Sequence, residues 1–494
     1  MDTVKIVANA KIAKIFSDDR NVHLAVLNRL SYTVPGFEQT NAYKNSGWDG
    51  RSSFYSMRKH TFPAGFLSMV ASFLRAEGLK VFTRRQAPSH VSPITDCRAM
   101  PPVDDYPVLE KYDYQFEAVN QLLKHKRIIA QIATGGGKSR IAKLATMAIN
   151  RPTLFLTTRR VLYYQMAEHF KDAIKYRNLT ERVGFLGDGD WSPSNFINVG
   201  MVKTLAMKLN DPKQRRQTIE TLHKFEFLIL EEAHETSNDQ YYVVANACAN
   251  AHYRLALTAT PFMKEHMKDN MSLMGTVGPV GIKVSEKQLI DSGILATPYF
   301  KYAEPERPER LYKTTKWPSC YKIGVVESYP RNKIIIQEAA KARKHGLRVL
   351  ILVIRKNQGA LLEKTLFANK IKAKFIWGES NKIKRKKALD DLESGKLEVL
   401  IGTNILDVGV DVPSVGMVII AGGMKGEEAL RQRIGRGMRG KKKNNYLFVL
   451  DFMDKHNRKL LQHSMTRKQI VASTPGFSSN ILAPYEDFDY GLIK

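Results

Sequence analysis

The chain has 494 residues, 43% hydrophobic and 25% charged, an ordinary globular composition with length for about three domains. Lys and Arg number 77 against 48 Asp and Glu, a formal net charge of +29, and that excess favours a polyanionic partner, most simply nucleic acid, through counterion release. No apolar run approaches the roughly 18 residues of a membrane span, the N-terminus lacks the apolar core and cleavage site of a signal peptide, and Cys97, Cys248 and Cys320 have no metal-ligand spacing, so the expectation is a cytoplasmic protein with no membrane partner.

Residues 1–86 read as a first unit. VKIVANAKIAKIF fits a strand or a short helix, and HLAVLNRLSYTV fits a helix with Leu24, Leu27 and Leu30 on one face. The segment NSGWDGRSSFYSMRKHTFPAGFL is punctuated by glycine and dense in aromatic and basic residues. Trp48 and Arg51, with Phe54, Tyr55, Arg58 and Lys59, are types that stack on bases and pair with phosphates. They are equally types that fill a small core, and both readings stand. Residues 87–108, bearing Pro and Ser, read as a linker.

From 109 to 297 strand-like and helix-like patterns alternate, the mark of βαβ units on a parallel sheet. RIIAQIA, TLFLTT, FINVGM, EFLILEE and RLALTAT are the candidate strands, apolar throughout as suits strands covered on both faces. The first runs into ATGGGKS, where Thr134, Gly135, Gly136 and Gly137 precede Lys138 and Ser139 at the start of a helical pattern. That is the strand, loop and helix of a phosphate-binding loop. Glycines let backbone N–H groups close around phosphates, the helix N-terminus favours anionic charge, Lys138 reaches the terminal phosphates and Ser139 holds magnesium. The pattern usually begins with Gly, and that slot is Ile132. Farther on, FEFLIL delivers Glu231, Glu232, Ala233 and His234. Two carboxylates at the end of a strand suit metal-dependent hydrolysis, one positioning magnesium and the other taking a proton from the attacking water.

Residues 298–327, charged and Pro-rich, read as a second linker. The alternation resumes from 328 to 455, with RVLILVI, AKFIWGE, LEVLIGT, GMVIIAG and NYLFVLDF as strands. In QRIGRGMR, Arg436 and Arg439 stand three residues apart on a predicted helix and so share a face. Arginines so placed stabilise charge in a phosphoryl-transfer transition state. Residues 456–494 hold a basic helical piece, KHNRKLLQHSMTRKQIV, and a polar tail expected to be mobile.

The ordered set YDYQFEAV, ATGGGKS, TTRRVLYYQ, EEAH, LTATP, IGTNILDVGVDVP and QRIGRGMR resembles the motifs of superfamily 2 helicases and translocases, in the branch with an Asp-Glu-x-His box. The resemblance implies an α/β fold of two tandem RecA-like parallel-sheet domains, here with a small α+β N-terminal domain, and an ATP hydrolase that uses Mg2+. It implies that Tyr114 and Gln115 read the adenine, that Thr134 to Lys138 and Ser139 hold phosphate, and that Ser139 and Glu231 support the metal. Glu232 would be the general base, Thr258 and Thr260 would couple nucleotide state to DNA, Gly409 and Asp411 would sense the nucleotide, and Gln432, Arg436 and Arg439 would close the site. Thr158, Arg159, Arg160, Thr403 and Asn404 fall where helicases touch the DNA backbone. Position 231 is Glu where that family usually has Asp, one methylene longer, which a water-mediated magnesium contact absorbs.

The N-terminal segment around Trp48 to Arg51, together with GTVGPVGIKVSEKQLIDSGILATPYF, resembles the UvsW-type recombination helicases of tailed bacteriophages, which migrate junctions and regress forks. That resemblance implies branched or forked DNA as the partner, recombination or replication proteins beside it, and the host cytoplasm as the location. Rival expectations are a duplex translocase that moves without separating strands, and a nucleic-acid-binding scaffold whose motor has decayed, as Ile132 and Glu231 would suggest.

Overall fold

The computed structural model describes residues 3–86, 110–176, 182–233, 239–262, 266–311, 316–378, 380–403, 415–423, 426, 430–431, 434–435, 437–438 and 445–493. The chain divides into two compact units, one of residues 1–132 and 137–283, the other of 133–136 and 284–494. No helix among the described residues is long and apolar enough to cross a membrane.

In the first unit, the ambiguous N-terminal pattern resolves as a hairpin. Strand β1 (Thr3–Ala8) pairs antiparallel with β2 (Ile12–Phe16), because Val4, Ile6, Ala8, Ala13 and Ile15 alternate onto one buried face. Strands β3 (Ser31–Thr33) and β4 (Arg51–Ser53) form a separate pair. With β5 (Thr61–Pro63) and β6 (Lys80–Arg85) the main sheet has the order β5-β2-β1-β6, β6 lying parallel to β1. The helix Leu67–Ala76 buries Val70, Ala71 and Leu74 in the same cluster. The predicted helix begins at Arg20, capped by Asp19, and its buried face is Val22, His23 and Val26. Leu24 faces outward, since packing rather than the leucine spacing chose the face.

Eight strands follow in the same unit: β7 (Arg127–Ile132), β8 (Thr153–Thr157), β9 (Gly184–Gly187), β10 (Asp190–Ser192), β11 (Ile197–Met201), β12 (Phe227–Glu231), β13 (Tyr253–Thr258) and β14 (Val280–Val284), in the order β10-β9-β11-β8-β12-β13-β7-β14. The pairs from β9 through β11, β8, β12 and β13 to β7 are parallel. All five expected strands are present. The extra hairpin β9–β10 turns at Asp188-Gly189, both with positive φ.

The boundary expected at residue 86 does not separate compact units. Met271, on the helix Met267–Thr276, joins the N-terminal core, and a Cβ on Gly65 would lie 2.1 Å from the Met274 carbonyl. Two buried arginines lie beside this seam, and Arg127 bridges it. Arg127 donates to the carbonyls of Ala10 and Ala251, and Arg254 to those of Cys248, Ala251 and Thr276 at 3.0–3.1 Å. Burial pushes both guanidinium pKa values down, that of Arg254 to about 10. Carbonyl oxygens meet the donors that burial would otherwise strand.

The second unit is built on an all-parallel sheet of β15 (Thr297–Ala303), β16 (Val349–Leu352), β17 (Ala373–Ile376), β18 (Val399–Gly402), β19 (Met417–Ile420) and β20 (Tyr446–Phe452), in the order β15-β20-β19-β16-β18-β17. The five strands expected between 328 and 455 are all there. The linker expected at 298–327 is not wholly a linker: β15 pairs with β20 along its length, and Pro298, Phe300 and Tyr302 are buried while their neighbours are only half-buried. Prolines and charges after the strand obscured that alternation in the sequence. The tail is likewise packed rather than loose. Phe488 lies 5.0 Å from the Phe448 ring and Leu482 N–H bonds the Phe300 carbonyl, so a few apolar side chains anchor an otherwise polar segment.

Candidate active site

Strand β7 runs apolar to Ile132, which is fully buried. The unusual residue in the loop pattern is therefore the last of the strand, where a core side chain is wanted, and its carbonyl stands 3.5 Å from Lys138 Nζ. Gly135 and Gly137 have φ of +87° and +77°, backbone that L side chains rarely adopt. At Gly137 a Cβ would also sit 2.4 Å from Gln115 Nε2. The helix Lys138–Ile149 starts immediately after, with no side-chain cap, which leaves an N-terminal turn suited to an anion.

The helix Asp113–His125 brings Gln115 against this loop. Gln115 is 2% exposed; its Oε1 accepts from Arg140 Nη1 at 2.6 Å, and its Nε2 donates to the Tyr114 hydroxyl at 3.3 Å. Tyr114, Gln115 and Arg140 thus form one polar patch on the first turns of two helices.

Strand β12 is buried at every position and lies between β8 and β13. It carries the carboxylates to the C-terminal edge of the parallel sheet, the edge at which open α/β sheets bind ligands. Glu231 is buried, and its carboxyl is pushed up to about 8, by burial first and then by the charge of Glu232, with Lys138 drawing it down. Glu232 has φ of +47°, so the chain leaves the strand through a left-handed, strained residue, and such residues concentrate at functional sites. The Tyr241 hydroxyl reaches the carbonyls of Glu231 at 2.9 Å and Leu156 at 3.1 Å, tying the ends of β12 and β8. Nothing in the sequence marks Tyr241. Thr258 closes β13, where its Oγ1 accepts from Thr260 N–H at 3.2 Å, and Gln131 Nε2 donates to the Ala259 carbonyl at 3.3 Å.

The donor set fits magnesium. Glu231 and Ser139 offer hard oxygens, and a buried carboxyl raised to about 8 takes its charge at neutral pH only beside a cation. Among the described residues no group of three or more His, Cys, Asp or Glu could hold a metal unaided. Phosphates and water would complete the shell, the usual way magnesium is held.

Gly409, Asp411, Gln432, Arg436, Arg439, Asn404 and His234 lie outside the described residues. Of their neighbours, Ile434 and Met438 are fully buried and Arg431 pairs with Glu286 at 3.3 Å.

The expected DNA contacts have mixed settings. Thr158 and Arg159 are half-buried after β8. Arg160 is exposed, but its Nε donates to Asp188 at 2.5 Å, as does the Tyr164 hydroxyl. Thr403 is half-buried just beyond β18. The two readings of the aromatic N-terminal segment divide by residue. Tyr55 fills the core at 4% exposure, whereas Trp48 is half-buried and donates its Nε1–H to the Arg51 carbonyl at 2.6 Å. Arg51 itself is exposed.

Two family models match the chain: the type III restriction enzyme res subunit over residues 109–263, and the helicase conserved C-terminal domain over residues 331–441. The DNA 3'-5' translocase XPB2 of Sulfurisphaera tokodaii is 26% identical over 69% of this chain and 81% of that protein; two further relatives are spanned over 65% and 50% of their lengths. Among solved structures, phage T4 UvsW aligns over 98% of this chain and 99% of its own at 18% identity and a TM-score of 0.43. The helicase MrfA, solved bound to DNA, aligns over 78% of this chain and 53% of its own at 13% identity and a TM-score of 0.56, which indicates a shared fold.

Proposed function

We propose that this chain, a member of superfamily 2 of the helicases, is an ATP-dependent DNA helicase or translocase that remodels branched DNA in recombination, repair or replication. The observation that carries the catalytic part is the carboxylate pair at the end of β12: buried Glu231 within electrostatic reach of Lys138, and half-buried Glu232 turned out of the strand at positive φ. In this reading Gly135 to Gly137 and the following helix N-terminus hold the phosphates, with Lys138 against the terminal ones. Gln115, locked by Arg140, sets the base against the loop. Glu232 takes the proton of the attacking water, and Gln432, Arg436 and Arg439 stabilise the charge that develops. Ser139 and Glu231 would hold magnesium, which when bound would supply charge neutralisation on the phosphoryl oxygens.

The net charge of +29 supports a nucleic-acid track, and contacts to the phosphate backbone suit an enzyme that moves over any sequence. Branched DNA as the preferred substrate rests on the resemblance of the N-terminal segment to UvsW-type helicases. The test is ATP turnover without DNA and with single-stranded, duplex, forked and four-way DNA, followed by strand displacement on the forked form. Stimulation greatest with the branched forms is the expected result, and turnover indifferent to every DNA refutes the reading. Glu232→Gln should bind nucleotide normally and lose turnover by about 10² or more. The translocase name of the 26%-identical relative favours one second reading, movement along duplex without unwinding. That motor would displace a triplex-forming strand yet leave a fork paired.

A further inference from the structure

The N-terminal sheet has a second face that neither the motor motifs nor the Trp48 segment uses. Its inner side buries Val4, Ile6, Ala13 and Ile15. By the alternation of strands, the opposite side presents the intervening residues. Across β2, β1 and β6 the register places Phe16, Lys5 and Phe82 side by side in one row, and Lys14, Val7 and Arg84 in the next. Phe16 is 47% exposed and Phe82 52%. Each ring has a lysine from its own strand beside it, Lys14 Nζ at 5.2 Å from the Phe16 centroid and Lys80 Nζ at 5.3 Å from that of Phe82. No outward position of these three strands carries a carboxylate.

We infer that this sheet face is a binding platform for single-stranded DNA, with Phe16 and Phe82 stacking bases and Lys5, Lys14, Lys80 and Arg84 pairing with the backbone. The inference rests on the proposed motor function, which makes single strands available. Scattered exposed apolar residues need no explanation, but two aromatics flanking a lysine on the central strand are an arrangement. Two interstrand spacings put their Cα atoms about 10 Å apart, a span for neighbouring unstacked nucleotides. Exposed rings amid cations on an open sheet are the elements with which sheet-based domains hold unpaired bases. A duplex hides its base faces in the stack and leaves these rings no partner. A second copy of the same face would set its four cations against four others, a repulsive pairing.

The experiment measures binding of the full chain, without nucleotide, to a labelled oligothymidine of about 16 nucleotides and to a blunt duplex, by fluorescence anisotropy. The double variant Phe16→Ala/Phe82→Ala should weaken single-strand binding at least about fivefold per ring while duplex affinity stays within twofold, on the order of error. The Phe16→Tyr/Phe82→Tyr variant, which keeps the rings, should bind as the natural chain does. Equal losses on both DNA forms, no loss on either, a preference for oligouridine, or a change in sedimenting mass would each overturn the inference. Turnover by the unsubstituted chain, run alongside, separates the two claims. If DNA stimulates it while the double variant binds normally, only the platform fails; if no DNA stimulates it, the motor reading fails.

Discussion

Replacing Glu231 by Gln tests the electrostatics of the site without disturbing its shape. Folding raises this carboxyl from its ordinary value of 4.5 to about 8. A carboxyl raised by folding binds more protons in the native state than in the unfolded one, so its contribution to stability is greatest at low pH. That contribution declines as pH rises from about 4.5 to about 8 and is flat above. At 1.36 kcal/mol per pKa unit, the loss is on the order of 3 kcal/mol at pH 7 and about 5 kcal/mol above pH 8. Gln, an isostere that never ionises, removes the decline. In a chain of two compact units a single unfolding free energy is not defined, so the quantity to follow is the melting temperature of the unit that contains β12. About 3 kcal/mol corresponds to roughly 5 °C for a unit of this size. Scanning calorimetry of metal- and nucleotide-free protein from about pH 5 to about pH 8.5 should show variant and natural chain melting together at the acid end, with the variant increasingly ahead as pH rises. Adding Mg-ATP should raise the natural chain more than the variant, because a cation beside Glu231 restores the carboxylate's value. A melting difference that stays flat with pH, or widens toward acid, would refute the assignment of a buried, proton-holding carboxyl.

Two further substitutions test the surroundings. Gly137→Ala should abolish nucleotide binding measured by calorimetric titration, since φ of +77° and a Cβ 2.4 Å from Gln115 Nε2 combine strain of about 1–3 kcal/mol with a clash; adding Gln115→Ala relieves the clash but not the strain, so binding should remain impaired. In the second unit Arg331 and Asp454 form a fully buried pair at 2.6 Å, with the guanidinium 3.9 Å from the Phe452 ring centroid. Asp454→Ala strands a buried charge and should destabilise that unit by about 3–5 kcal/mol, whereas Asp454→Leu with Arg331→Met should recover most of the loss; a single variant as stable as the natural chain would mean that the pair carries no energetic weight.

Local chemistry accounts for what could be read early. Nine of the ten expected parallel strands lie inside their sheets and were legible because strands covered on both faces are largely apolar, while β17 sits at a sheet edge with Lys374 exposed. The phosphate loop was legible because only glycines fit its left-handed turns, as Gly135 and Gly137 show. Strand β15 was hidden by the Pro- and charge-rich stretch that follows it, and the N-terminal hairpin was ambiguous because a short apolar run does not reveal its period. The sheet face bearing Phe16 and Phe82 was invisible for another reason: its residues come from strands some seventy positions apart in sequence, and only the register sets them in a row.

Residue order alone determined the α/β alternation, the loop, the carboxylate pair and the polyanionic bias of the charge, since each depends on neighbours along the chain or on a simple sum. Tertiary structure decided the rest. Burial in the middle of a parallel sheet, beside Glu232 and Lys138, raises the carboxyl of Glu231. The Ala10 carbonyl joins the N-terminal hairpin to the motor sheet through Arg127, which shares the Thr276 carbonyl with Arg254. These are effects of proximity between segments remote in sequence, and desolvation and pairing exist only once the fold has brought them together.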